Sequence, residues 1–232
     1  MDKKTGWIIA AIVAAFAVII GISIAQQGNG NKNSSYNDII PASEASGNIA
    51  ELVNGDIDAP VKIIEYGDYQ CTACAPMNPY INELIKKYDG KVAVVFRTMI
   101  LDYHQNGEQA ARAALAANEQ GYWKEFKDIL FENQDDWYYS EPAELTKQLE
   151  KYFTKVSNGK GDLEKFRTDQ TREDFGKKLD FDASISKKQN VEWTPYFMID
   201  GELISQRGIS SEEFIEKLSQ KIDEKLANLE NN

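Results

Sequence analysis

This 232-residue chain has little cysteine and almost no histidine: two of the first, Cys71 and Cys74, and one of the second, His104. A structural zinc site takes about four ligands, and these three fall short of one. Positive charge is also scarce. Lys and Arg number 26 against 37 Asp and Glu, a formal net charge of −11. Phosphate binding needs a basic face, so nucleic acid is a poor partner for this chain. No Pro- or Gly-rich tract and no internal repeat interrupts it, and a hydrophobic content of 42% with 11% aromatics is that of a globular protein.

Long apolar runs are missing too, with one exception at the start. Lys3 and Lys4 precede an uncharged, largely apolar stretch from Thr5 to Ala25, with Trp7 where an interfacial aromatic belongs. About 20 such residues suffice to cross a bilayer. Lysines before the run and none just after it place the N-terminus inside the cell. The expectation is therefore an N-terminal transmembrane helix, residues 1–26, on the cytoplasmic membrane. The alternative is a cleaved secretory signal, with Ser23-Ile24-Ala25 as a small-x-small cleavage site. Either reading exports the rest of the chain. Residues 27–50, rich in Gly, Asn, Ser and Gln, read as a flexible linker, and residues 51–230 as a folded domain.

Within that domain "APVKIIEYGDY" reads as a buried strand turning at Gly67-Asp68. A helix is expected to begin at or beside Cys71 and stop at Gly90, with Pro76 in its first turn and Pro79 as a potential kink. "KVAVVFRTMIL" is a second buried strand, which makes a βαβ unit with parallel strands. The middle is helical: an Ala-rich segment, then "YWKEFKDILFENQ", then a helix capped by Ser140 with Pro142 in its first turn, then two more after Gly159 and Gly161. "PYFMIDGELIS" is a hairpin about Asp200-Gly201, and an amphipathic helix capped by Ser210 or Ser211 closes the chain.

Cys71 and Cys74 thus fall between a strand and a helix in a βαβ unit, an arrangement that signals redox chemistry. Unpaired amides at a helix N-terminus favour a thiolate on the first cysteine, the attacking species in disulfide exchange. The second cysteine lies one turn on and can resolve a mixed disulfide. A purely structural disulfide would close too short a loop to constrain the unfolded chain much.

"IIEYGDYQCTAC", "HQNGEQAARAALAANEQGYWKEFKDILFENQ" and "VEWTPYFMIDGELI" resemble, in order, the DsbA-like thioredoxin-fold proteins of the bacterial membrane-anchored or secreted branch. The resemblance runs from about Asp58 to the last helix. It implies an α/β thioredoxin-like fold with a helical insertion at about 104–190. It implies Cys71 as nucleophile and Cys74 as resolving thiol. Pro195 falls on the family's cis-proline. Thr194 falls on the residue whose backbone pairs with bound peptide. Glu65, six residues before Cys71, falls on a buried acid that can take a proton from Cys74. One departure matters: Thr72-Ala73 stands where the resembled oxidase has Pro-His. Ala73 cannot donate to a thiolate, so stabilisation should rest on the helix terminus and the Thr72 hydroxyl, and the chain should be a weaker oxidant.

The expected function is thiol–disulfide exchange with cysteine-containing exported proteins, served by a membrane redox partner and needing no cofactor beyond the cysteine pair. The alternative is a membrane-tethered peptide-binding or chaperone module braced by a CxxC disulfide. A glutathione-dependent transferase fits less well, since export separates it from cytosolic glutathione. His104 is expected to fix the strand-to-insertion junction rather than to act on sulfur, and "DDWYYSEP" around Trp137 to pack between subdomains, with a recognition surface as its alternative.

Overall fold

The computed structural model describes residues 36–231. Along them run β1 (Leu52–Gly55), β2 (Val61–Gly67), α1 (Cys74–Lys87), β3 (Val92–Thr98), α2 (Gly107–Asn118), α3 (Trp123–Glu132), α4 (Gln134–Trp137), α5 (Pro142–Val156), α6 (Leu163–Asp169), α7 (Glu173–Lys188), β4 (Tyr196–Ile199), β5 (Glu202–Ile204) and α8 (Ser211–Glu230). The strands form one sheet in the order β1-β3-β2-β4-β5. β2 and β3 are parallel, as the crossover through α1 requires, and every other pair is antiparallel.

Residues of β2 and β3 are buried almost without exception, because helices cover both faces of the sheet. Alternation along the strands divides the core. Val61, Ile63, Val92, Val94, Phe197 and Ile199 face one way, against Met77, Ile81 and Leu84 of α1 and Phe214, Leu218 and Ile222 of α8. Ile64, Tyr66, Val95 and Met198 face the other way, against Ile185 of α7. Each such side chain is worth about 1.5–3 kcal/mol of burial. The helical insertion, α2 to α7, lies between β3 and β4, and its Phe126, Leu130, Trp137, Phe153 and Phe166 share one core with Leu52 of β1, Phe96 of β3 and both cysteines.

Several details depart from the sequence expectations. Residues 36–50 are not a spacer. Tyr36, Ile39 and Ile40 pack against the sheet, and Ser46 and Ile49 are buried. Arg97 donates to the carbonyls of Tyr36 and Asp38. Gly47, at φ +62°, comes so close to α7 that a Cβ there would lie 2.4 Å from the Asp174 carbonyl. Polar composition suggested a linker, but tertiary contacts were available to it. β1, which pairs with β3, went unexpected because Asn54 and Gly55 dilute a four-residue apolar signal. Glu141, not Ser140, is the N-cap of α5. Pro142 in the first turn lacks an amide to be capped, and the Ser140 hydroxyl bonds Gln148 instead. Ser210 caps α8 through a reciprocal pair of bonds with Glu213. The expected membrane anchor or signal over Thr5–Ala25 lies outside the described residues. Among the described residues no helix is long and apolar enough to cross a membrane.

Candidate functional site

β2 ends at Gly67, and a turn of three residues carries the chain to Cys71. Asp68, fully buried, holds this turn. Its carboxylate accepts from the amides of Gln70 and Leu101, each at 2.9 Å, and pairs with His104 Nδ1 at 2.7 Å. From the insertion, Gln134 donates to the carbonyls of Tyr69 at 2.8 Å and Cys71 at 3.1 Å. The loop is thus tied down from both sides before the helix begins. α1 starts at Cys74, three residues later than a start at Cys71. Cys71 instead lies just ahead of it, its carbonyl accepting from the amides of Cys74 (3.0 Å) and Ala75 (3.4 Å). Pro79 sits inside the helix, which continues through it to Lys87.

The two sulfurs are both free thiols, in unlike surroundings. Cys71 keeps 6% of its surface exposed and Cys74 only 1%. The Cys71 thiol donates to the Thr194 carbonyl at 3.3 Å, and the Thr194–Pro195 bond is cis. The Thr194 hydroxyl is buried with no partner among the described residues. Once Cys71 ionises, that hydroxyl becomes a donor to it. The Cys71 pKa is lowered to about 6, chiefly by the hydrogen bond from the Cys74 thiol. Burial opposes this, and the Thr194 hydroxyl and the amides of Ala73 and Cys74 add to it. Cys74 is driven the other way, well above the ordinary thiol value, first by burial and then by its bond to Cys71. Thr72 and Ala73 are exposed, and among the described residues Thr72 makes no side-chain hydrogen bond, so its expected hydroxyl contribution is replaced by backbone amides.

Glu65 lies on β2 with 5% of its surface exposed. Burial pushes its carboxyl up to about 7, and the Lys127 charge opposes that rise. Among the described residues it forms no ion pair; its charge and that of Cys74 each disfavour the other. Lys127, on α3, is itself buried, held by Asn78 and lying 5.9 Å from the ring centroids of Trp123 and Phe131. Desolvation lowers its pKa. Lys127 was missed from sequence, although its spacing of four from both Trp123 and Phe131 places it on the apolar face of α3. Gln134 and Gln70 were missed because their side chains bond backbone, which leaves no pattern in composition, and Asp68 because its partners Leu101 and His104 lie more than 30 residues on. His104 bonds Asp68 rather than a sulfur, and Trp137 is fully buried with its Nε1 on the Leu130 carbonyl.

A sequence profile described as Thioredoxin matches residues 47–223. Disulfide bond formation protein D of Bacillus subtilis is 31% identical over 162 residues, covering 66% of this chain and 68% of that protein. The crystal structure of oxidised BdbD from Bacillus subtilis superposes with a TM-score of 0.63 at 23% identity, over 82% of this chain and 100% of that one. The chain spans about a fifth of the length of the first curated relatives it matches. One of these, Na(+)/H(+) antiporter NhaA 3 of Salinispora tropica, is 32% identical over 150 residues, 64% of this chain and 21% of that protein. With a CxxC pair held between strand and helix beside a cis Thr194–Pro195 bond, and a family match over most of its length, the chain belongs to the thioredoxin family.

Proposed function

We propose that the protein exchanges disulfides with cysteine-containing exported proteins on the outer side of the cytoplasmic membrane, through Cys71 and Cys74. One observation carries this reading: two neighbouring thiols are driven in opposite directions, one to about 6 and the other well above its ordinary value. A structural brace has no use for that asymmetry. Exchange needs it, because a thiolate attacks and a protected thiol resolves. The Lys3-Lys4 and apolar-run pattern supports export, and the name of the Bacillus subtilis relative supports disulfide chemistry.

In the oxidising direction a substrate thiolate attacks Cys71 Sγ of the Cys71–Cys74 disulfide. A mixed disulfide forms and Cys74 leaves as thiolate, taking a proton from Glu65, whose pKa near 7 suits the transfer. A second substrate thiolate then attacks the substrate sulfur of the mixed disulfide, and Cys71 leaves as a stabilised thiolate. Two electrons pass to the protein, and a membrane redox partner removes them. The pair itself is the redox centre, so no cofactor is required. Backbone of the bound peptide pairs at Thr194, beside Pro195. The same steps in reverse reduce a substrate disulfide.

Alkylation of the reduced protein should modify Cys71 with a midpoint near pH 6 and leave Cys74 unmodified. Cys71→Ser should abolish exchange; a tethered peptide-binding or chaperone module would keep its activity in that variant. Ala73→His should raise the reduction potential by about 30–60 mV, because a histidine donor stabilises only the reduced form and one charge-assisted bond is worth about 1.5–3 kcal/mol. Equilibration against a glutathione series reads the shift, and an unchanged potential would show that the side chain at 73 does not reach the sulfur.

A further inference from the structure

Beside the cysteines lies a cavity of about 250 Å³ that the exchange steps do not use. Gln70, Tyr103, Asn106, Tyr138, Tyr139 and Glu141 line it. Gln70 immediately precedes Cys71. Its buried amide donates to the Tyr138 carbonyl at 2.8 Å and accepts from the Asn106 amide at 2.7 Å. Asn106, also buried, donates to the carbonyls of Trp137, Tyr138 and Ser140 at 3.0–3.2 Å. The cavity wall is therefore fastened to the loop that carries the nucleophile, and it is formed before any ligand arrives.

Its mouth is aromatic. Tyr103 and Tyr139 are 73% and 90% exposed, two of only four large hydrophobic side chains so exposed among the described residues. Tyr103, His104, Tyr138 and Tyr139 make a continuous line of edge-to-face contacts, with centroids 4.5, 6.1 and 4.5 Å apart. The Tyr138 phenol is raised by burial, then by Tyr139 and Tyr103, then by the charge of Cys71, which sets that ring within electrostatic reach of the sulfur. No Lys or Arg is among the residues that line the cavity, while the exposed Glu141 lines it and Asp102 and Asp136 are exposed a few residues away in the chain. Electron-rich ring faces beside carboxylates and without a competing cation are complementary to a positive side chain.

We propose that this cavity is a subsite for a lysine or arginine side chain of the substrate polypeptide, a few residues from the cysteine that reacts with Cys71. The assignment rests on the disulfide-exchange reading above, and it names a substrate class for it: cationic segments around reactive cysteines. Arginine suits it best, because its planar guanidinium stacks on rings and pairs with a carboxylate at once.

The test uses oxidised protein and dithiol peptides of one length that carry Arg, Leu or Glu on both sides of the cysteines, with dithiothreitol as a small reference thiol. The second-order rate constant should be about tenfold larger for the Arg than for the Glu peptide at low ionic strength, with Leu between, and added salt should shrink the ratio. In Tyr103→Ser/Tyr139→Ser/Glu141→Gln the ratio should fall close to one. A ratio is unaffected by any general loss of activity in the variant. Equal rates for the three peptides in the wild type would overturn the subsite and leave the exchange reading standing. A preference that survives in the variant would place the discrimination elsewhere and also overturn it. Failure to oxidise even dithiothreitol would bring down the exchange reading, and the subsite with it.

Discussion

Charge is buried on both faces of the sheet, and the two faces treat it differently. On the face covered by α7, Arg97 and Glu51 pair at 3.1 Å, Lys178 reaches Asp182 at 2.6 Å and Glu51 at 3.5 Å, and the Thr98 amide donates to Asp182 at 3.1 Å. Arg97 also takes the Tyr66 hydroxyl and the carbonyls of the N-terminal arm. Every charge there has a partner. On the face toward α1, Glu65 and Lys127 lie buried without an ion pair between them. Glu65 is pushed up to about 7 and Lys127 down. Burial raises a carboxyl on both faces: Asp182 reaches about 6 against the charge of Lys178, and Glu65, with no ion pair among the described residues, reaches about 7. The second arrangement lies beneath the cysteines and the first does not.

That comparison can be broken most strongly on the paired face. Lys178→Met should cost about 3–5 kcal/mol, because Asp182 then loses its only ion-pair partner among the described residues while Glu51 keeps Arg97. Urea unfolding at neutral pH reads the loss. Unchanged stability would mean that the four charges are not coupled. On the other face the sign reverses. A carboxyl whose folded pKa lies above its unfolded value favours the fold below about pH 4.5, and that contribution is lost as pH rises through 7. Glu65→Gln should therefore stabilise the protein by about 2–3 kcal/mol at pH 8 and leave it unchanged near pH 4. It should also slow the release of Cys74. A stability gain that does not depend on pH would show that Glu65 is not titrating between those limits. The smallest effect belongs to the surface. Glu108→Ala removes a half-exposed pair with Arg112 at 2.8 Å and should cost about 0.3–0.5 kcal/mol, less in high salt.

The βαβ unit, the terminal hairpin and the final helix with its Ser210–Glu213 capping box were legible because each is written in local signals: an apolar run, Asp200-Gly201, a serine three residues before a glutamate. Cys71 and Cys74 were legible for the same reason. β1 and the arm at 36–50 were not, since four residues of mixed polarity acquire a conformation only when β3 and α7 offer them partners. The Tyr138-Tyr139 pair showed the same limit. Sequence placed it next to a packing tryptophan, and only the fold buried Trp137 while leaving Tyr139 at the surface.

By itself the sequence determined the order of the strands and helices from β2 onward and the position of the two sulfurs at the entry to a helix. These follow from hydrophobic period, turn chemistry and residue type, all of which act over a few neighbours. Tertiary structure decided what each sulfur would be. It brought Thr194, 123 residues away, to within 3.3 Å of Cys71, sealed Cys74 from water, and set Lys127 of the insertion against Glu65 of the sheet. A thiol's pKa is fixed by burial and by the donors around it, and those donors come from distant parts of the chain that only folding brings together.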